Sequence, residues 1–336
     1  MLRKWLPWVL KFALSGFIIW FVLRGVDLGA AWERGRSVVP AMFGLALLLC
    51  LFQNLIGALR WRVALKALGP APSFLNAFLM LYMSMFFSLV LPGAVGGDAV
   101  RMWTARKSGL TLVHAVNSVI LERVATLLGL FFLVTLTEPL LFSRIGDNPA
   151  VYVFPVLAVL GVLGVGVLMV LDQLPGRLHR WRLVRAMGYV AGDTRRLFLS
   201  PRSSVAVLVF AVLGHVNLSL VVYVLALGLG MGVTFVDCVV LVPPVILIMT
   251  IPISIAGWGV REGAMVTAFG FIGIPPEQAL ALSVLFGLTM TLGTLPGGLI
   301  WFFVRGLNGP ATVAPEGASL HNGAARPEAW HGDRKG

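Results

Sequence analysis

Long apolar stretches separated by short basic loops fill most of this chain. A helix needs about 20 apolar residues to cross a hydrocarbon core about 30 Å thick. Residues 5–23, 39–59, 111–137, 150–171, 203–230 and 278–304 meet that length. The pattern predicts an all-α polytopic membrane protein with six full transmembrane helices. Two further apolar runs, 73–91 and 237–253, end in Gly- and Pro-rich strings and predict re-entrant or broken helical elements.

The polar positions between these runs set an orientation. Arg3 and Lys4 precede the first helix, which is expected to be retained because Arg24 and Asp27, rather than a small-residue cleavage site, follow it. A mixed-charge piece (Asp27, Glu33, Arg34, Arg36) reads as interfacial. Helix 39–59 ends in Arg60, Arg62 and Lys66, which mark an inside end. Run 73–91 stops at Leu91-Pro92-Gly93-Ala94-Val95-Gly96-Gly97-Asp98 and is followed by Arg101, Arg106 and Lys107. Cations thus flank both of its sides, as expected of a hairpin that enters and leaves by one face. Loop 138–149 is nearly neutral, as an outside loop should be. Segment 172–202 carries Arg177, Arg180, Arg182, Arg185, Arg195, Arg196 and Arg202, and predicts a surface-lying amphipathic helix on the cytoplasmic side.

Run 237–253 breaks at Ile251-Pro252 and continues through Gly257-Trp258-Gly259-Val260-Arg261-Glu262, entering from the opposite face. Apolar residues resume at 263–274, Pro275-Pro276 turns the chain, and Arg305 closes the last helix inside. Residues 1–305 form one transmembrane domain. Residues 306–336, rich in Gly, Ala and Pro, predict a disordered cytoplasmic tail.

Composition agrees. Hydrophobic residues make up 58% of the chain and charged ones 12%, against roughly 25% charged in a soluble domain. A net charge of +12 would suggest nucleic acid in a soluble protein. Here the cations line short loops and suit anionic headgroups, so no nucleic-acid partner is expected. Cys50 and Cys238 fit neither a disulfide framework nor a zinc site, and the five histidines form no ligand pair. No metal and no cofactor is expected. GxSxG, GxxxxGK[ST] and HExxH strings are lacking, so catalytic signals are poor. Small-residue strings such as Gly161-x-x-Gly164-x-Gly166 permit helix association without specifying an oligomer.

The two broken elements match one another at an offset of 160: Pro92 with Pro252, Gly97 with Gly257, Val100 with Val260, Arg101 with Arg261. With entry from opposite faces, this is the pattern of an inverted-topology repeat, whose substrate sites lie near the midplane. Around them sit the charges that matter most: Asp98, Arg101, Glu122, Arg123, Arg261 and Glu262. A charge at the bilayer centre costs about 2.5–3.5 kcal/mol, so each needs a partner or water. Arg101 also reads as a snorkelling anchor, and Glu122 with Arg123 as a structural ion pair. A polar cavity with guanidinium groups would suit a phosphate-bearing headgroup. Gly96, Gly97, Gly257 and Gly259 would let the backbone approach it closely.

The strings Phe86-Phe87-Ser88-Leu89-Val90-Leu91-Pro92-Gly93-Ala94-Val95-Gly96-Gly97-Asp98-Ala99-Val100-Arg101, Leu121-Glu122-Arg123, Pro252-Ile253-Ser254-Ile255-Ala256-Gly257-Trp258-Gly259-Val260-Arg261-Glu262-Gly263 and Leu295-Pro296-Gly297-Gly298 carry a resemblance. They resemble the lysylphosphatidylglycerol synthase transmembrane region, or flippase-like domain family, over about residues 5–305. The resemblance implies a bacterial or archaeal membrane protein that moves lipids between leaflets. Lysyl-lipid synthesis is not implied, since only a short tail follows Arg305.

The expected function is a flippase or transporter for an anionic or phosphate-bearing lipid, driven by a gradient or working downhill, in a bacterial inner membrane with both termini cytoplasmic. Arg101 and Arg261 would contact the phosphate. Glu122 and Glu262 would hold those arginines or a cationic group of the lipid, and Asp98 would pair locally. The competing expectations are a membrane-embedded transferase using a polyprenyl-phosphate or lipid substrate, and a scaffold for a lipid-synthesising enzyme partner.

Overall fold

The computed structural model describes residues 27–69, 71–90, 95–145, 153–173, 182–250 and 259–307. The expected helix 5–23, the break residues Pro92, Gly93, Pro252, Gly257 and Trp258, and the tail from residue 308 lie outside the described residues. Among the described residues there is no strand. The helices are α1 (Leu28–Arg36), α2 (Pro40–Leu68), α3 (Phe74–Val90), α4 (Val95–Lys107), α5 (Leu112–Ile145), α6 (Val153–Val170), α7 (Arg182–Phe198), α8 (Pro201–Gly228), α9 (Phe235–Met249), α10 (Val260–Gly270), α11 (Pro276–Thr294) and α12 (Pro296–Leu307). Five segments, in α2, α5, α6, α8 and α11–α12, are long and apolar enough to span a membrane. This is an all-α polytopic membrane protein.

Local chemistry sets the helix ends. Asp27 caps α1 by accepting from the Ala30 amide at 3.0 Å. Pro40 sits in the first turn of α2, where its missing N–H costs nothing. At α9, Thr234 and Asp237 form a capping box: the Asp237 amide donates to Thr234 Oγ1 at 3.2 Å and the Thr234 amide donates to Asp237 Oδ2 at 2.8 Å.

Four boundaries differ from the sequence expectation. The second helix does not stop at residue 59 but runs on to Leu68, because nothing breaks it before Gly69 and Pro70, and Arg60 lies inside it. The expected loop 138–149 begins as helix: α5 continues to Ile145 with Pro139 inside it. A proline costs one backbone bond but does not oblige a helix to end. Glycines 96 and 97 are not broken backbone; they belong to the first turn of α4. The last helix is interrupted at Leu295, before Pro296, into α11 and α12.

Both short apolar elements fold back on themselves. α3 packs on α4, and α9 packs on α10. Gly97 lies against Ser88 and the Ser84 carbonyl, so closely that a Cβ there would overlap both. Farther along, Ser108 Oγ approaches Met80 Sδ at 3.9 Å. The pairs 97/88 and 108/80 diverge in opposite chain directions, so α3 and α4 are antiparallel. With 13 residues in α4 and 11 in α10, these arms reach only about 20 and 16 Å, short of a 30 Å core.

α2 and α8 form the most extensively packed pair, flanked by α5 and α11. Association in lipid relies on close packing and interhelical hydrogen bonds rather than on water exclusion. Small residues supply the closeness: a Cβ at Gly129 would overlap Ala211, and one at Gly297 would overlap the Tyr82 carbonyl. Tyr82 also donates to the Gly293 carbonyl at 2.8 Å. α6 is peripheral. Only 6% of its span is buried, and its valines and leucines face outward.

α7 is the expected amphipathic segment, docked on the bundle. Leu197 is buried among Ala64, Leu68, Leu121 and Val207, with Val190 packed against them, and Ala191 is fully buried. Asp193, also buried, accepts from Asn117 Nδ2 at 2.7 Å. Arg195 donates to both carboxylate oxygens of Asp172 and to the Met169 carbonyl, clasping α7 to the end of α6. The Asp172 carboxylate holds the Arg195 guanidinium above its usual pKa.

Candidate functional site

Five charged side chains from three helices form a continuous row of alternating sign. Arg60 comes from α2, Asp98 and Arg101 from α4, and Glu122 and Arg123 from α5. Arg123 Nε donates to Asp98 Oδ2 at 2.6 Å. Asp98 Oδ1 lies 3.5 Å from Arg101 Nη2. Arg101 Nη2 donates to Glu122 Oε2 at 3.1 Å. Glu122 Oε1 takes Arg60 Nε at 2.7 Å and Arg60 Nη2 at 2.6 Å.

The row runs from accessible to buried. The Arg123 side chain is 55% exposed, Asp98 14%, and Arg101 only 3%. Helix geometry explains the split between neighbours: Glu122 and Arg123 project about 100° apart, one inward and one outward. Glu122 lies about 15 Å along α5 from Leu112, and Arg60 about 12 Å from the Leu68 end of α2. The row therefore sits two to three helical turns in from the ends of α2 and α5 rather than at their termini.

A supporting shell fixes it. Trp61 presents its ring to Arg101, with Cζ 5.0 Å from the centroid, and donates its indole N–H to Ser118 Oγ at 3.1 Å. Thr126 Oγ1 donates to the Glu122 carbonyl at 2.7 Å and approaches Oε1 at 3.3 Å. His215 Nε2 lies 3.1 Å from the Thr126 carbonyl. Beyond it, Asn217 Nδ2 donates to Gln53 Oε1 at 2.9 Å and to the Leu49 carbonyl at 3.0 Å. Gly214 makes room: a Cβ there would stand 3.3 Å from Arg60 Nη1.

The second pair is built differently. Arg261 and Glu262 are adjacent in the first turn of α10, and both are buried. Arg261 Nε and Nη2 donate to Glu262 Oε1 at 3.0 and 2.6 Å. Ser283 Oγ on α11 lies 3.3 Å from Arg261 Nε and 3.4 Å from Glu262 Oε1. The Gly259 amide donates to Glu262 Oε2 at 2.5 Å. Gly259 has φ 85°, the left-handed conformation that glycine adopts without strain. On the other side Gly287 backs the guanidinium so closely that a Cβ would overlap it.

The structure therefore brings Asp98, Arg101, Glu122 and Arg123 together. It holds Arg261 and Glu262 on another pair of helices, α10 and α11. Arg101 and Arg261, equivalent by the offset of 160, both end buried against a carboxylate. One reaches across to α5 and the other to its own chain neighbour. The glycines serve helix packing and capping: Gly97 admits α3, and Gly259 starts α10. Gly96 is half-buried in the first turn of α4. Gly257 lies outside the described residues.

Arg60 was missed by sequence reasoning. It reads there as one of three inside anchors with Arg62 and Lys66. The signal that could have found it is its position nine residues before Gly69, more than two turns from the end of the helix. His215 and Asn217, lone polar residues in an apolar helix, carried the same signal. Among the described residues no group of three metal-ligating side chains converges.

The match with known proteins covers this whole region. Residues 8–297 match the family described as the lysylphosphatidylglycerol synthase TM region. A protein described as a UPF0104 membrane protein, from Methanothermobacter thermautotrophicus, is 23% identical over 320 residues, covering 87% of this chain and 91% of that protein.

Proposed function

The chain belongs to the family of the lysylphosphatidylglycerol synthase transmembrane region, and from that premise we propose that it is a flippase for a lipid with an anionic, phosphate-bearing headgroup. One observation carries the reading: the row sets three guanidinium groups against two carboxyls, and its surplus cation, Arg123, stands at the accessible end. That surplus positive charge, reachable from outside the bundle, favours the approach of an anionic headgroup. Arginine suits phosphate because its planar fork offers paired N–H donors.

The α3–α4 and α9–α10 hairpins are the movable parts in this reading. Each is too short to span, and each ends in a Pro- and Gly-containing string. Alternating displacement of the hairpins would expose the row first to one leaflet and then to the other. Arg261 and Glu262 would hold the second hairpin in register. Basic loops around Arg62, Lys66, Arg106, Lys107 and α7 support a cytoplasmic face on that side, in a cell membrane. A lipid-synthesising enzyme would be the natural supplier of the substrate.

Two features favour transport over a membrane-embedded transferase. Asp98 and Glu122, the candidate bases, are both held by guanidinium groups. The sequence also offers no nucleophile motif.

The test is a leaflet-resolved assay in proteoliposomes. Purified protein should carry a fluorescent phosphatidylglycerol to the protected leaflet, and Arg101→Ala should abolish the movement. Chemical conversion of the lipid by purified protein would instead favour the transferase. If Arg101→Ala moves lipid as fast as the unaltered chain, the proposed site is wrong.

A further inference from the structure

The two carboxylates of the row are not held alike. Glu122 is locked: both close contacts of Arg60 fall on Oε1, and Arg101 takes Oε2. Asp98 is held firmly only from outside. Its Oδ2 meets Arg123 at 2.6 Å, while its Oδ1 stands 3.5 Å from Arg101. A charge-assisted N–H···O bond is about 2.7–2.9 Å long, so the inner contact is slack.

Arg101 has capacity to spare. Its Nε is buried and has no hydrogen-bond partner, although the side chain is only 3% exposed. Buried donors are paired in the great majority of cases. The orphan N–H belongs to the guanidinium that Asp98 reaches poorly. Trp61 adds a cation–π contact to that guanidinium, with Cζ 5.0 Å from the ring centroid, that needs no hydrogen-bond acceptor.

We propose that Asp98 is a resident anion, holding between Arg101 and Arg123 the place that a phosphate diester takes when a lipid is carried. The inference rests on the flippase reading and adds to it the mode of headgroup recognition. A carboxylate and a phosphate diester each carry one negative charge, so both can answer the same pair of guanidinium groups. The diester is larger and presents more oxygens, enough to engage Arg123, Arg101 Nη2 and the orphan Nε together. Arg123, with its half-exposed side chain, meets the headgroup first. Asp98 stands in the first turn of α4, where free backbone amides favour a carboxylate. Displacement therefore leaves it in a tolerable setting, and its return drives the lipid off. The hairpin that carries Asp98 thereby senses whether the site is loaded.

The experiment is calorimetric titration of the full chain, purified in a maltoside detergent free of phosphate, with dihexanoyl phosphatidylglycerol. Inorganic phosphate is the second probe and dihexanoyl glycerol the uncharged control. Asp98→Asn removes the competitor and should tighten lipid binding about tenfold. Asp98→Ser, which removes the same charge with a smaller side chain, should act in the same direction. Arg123→Gln should weaken binding about tenfold. Thermal unfolding of each variant shows that it is folded.

If both Asp98 variants weaken binding, Asp98 merely scaffolds the arginines and the inference is overturned. It is equally overturned if no variant differs from the unaltered chain, or if the lipid fails to bind. Inorganic phosphate binding as tightly as the lipid would overturn the lipid as the source of the diester. The flippase reading fails separately: tightened binding by Asp98→Asn with no leaflet movement in vesicles sinks transport and leaves the resident anion standing.

Discussion

Arg60 on α2 and Glu122 on α5 are joined by two contacts to a single oxygen, Nε and Nη2 both meeting Oε1 at 2.7 and 2.6 Å. The second oxygen belongs to Arg101. Glu122 is thus the hub at which α2, α4 and α5 meet.

Removing one partner of a buried ion pair costs about 3–5 kcal/mol, because the other charge is left uncompensated. Arg60→Met should lower stability by roughly that amount, with Arg101 retaining part of the neutralisation. The triple variant Arg60→Met/Arg101→Met/Glu122→Met should recover much of the loss, since apolar side chains of similar volume can replace a buried ionic cluster. Removing Glu122 with Arg60 alone would leave Arg101 without its close carboxylate. Unfolding in a denaturant series, with helix content as the signal, measures both. Translocation should stay lost in the triple variant, which separates the stability of the row from its use.

Gly97→Val is expected to spread the first hairpin. Any Cβ at 97 overlaps the Ser84 carbonyl, which is backbone and cannot rotate away. Overpacking of this kind costs about 1–3 kcal/mol. Hydrogen exchange should show faster amides in α4, and thermal unfolding should fall in parallel.

Gly259→Ala places a Cβ on a residue at φ 85°. The left-handed conformation costs about 1–2 kcal/mol for an L-residue. Its amide is also the one that donates to Glu262, so a shift there loosens the Arg261–Glu262 pair. The expected result is a lower unfolding midpoint, with the loss concentrated in α10 by hydrogen exchange.

Asn117→Ala should undock α7. Asp193 is buried and accepts from Asn117 at 2.7 Å. A buried charged group that loses a hydrogen-bond partner costs about 1–3 kcal/mol. Limited proteolysis should cut within 182–198 more readily in the variant, while α2 and α5 stay protected.

Much was legible along the chain. Five of the six runs expected to span coincide with helices long and apolar enough to do so. The sixth, 5–23, lies outside the described residues. The two shorter runs, 73–91 and 237–253, pack on the helices that follow them. Four of the residues expected to act together, Asp98, Arg101, Glu122 and Arg123, do meet. What failed was local. Helix α2 was ended at Arg60 because a cation after an apolar run reads as an interface anchor, and only the inward face of the helix shows otherwise. Residues 138–149 read as an outside loop because Glu138, Arg144 and Asp147 leave them nearly neutral, yet α5 runs on through Pro139 to Ile145. Beyond the proline, exposed Leu140 and Phe142 continue the same apolar helix.

The sequence by itself determined that this chain lives in a membrane, which segments cross it, and where charge is retained against a cost. Those follow from solvation free energy, which each residue carries wherever it sits. Only the tertiary structure decided which charge answers which. Arg101 crosses to Glu122, twenty-one positions away, while its repeat equivalent Arg261 turns to its neighbour Glu262. Arg60, sixty-two positions from Glu122, completes the row. Pairing depends on which helix faces meet and how closely glycines let them approach. Asp98 gained its distinct place the same way: adjacent to Arg101 by one turn of helix, and to Arg123 only because α4 packs against α5.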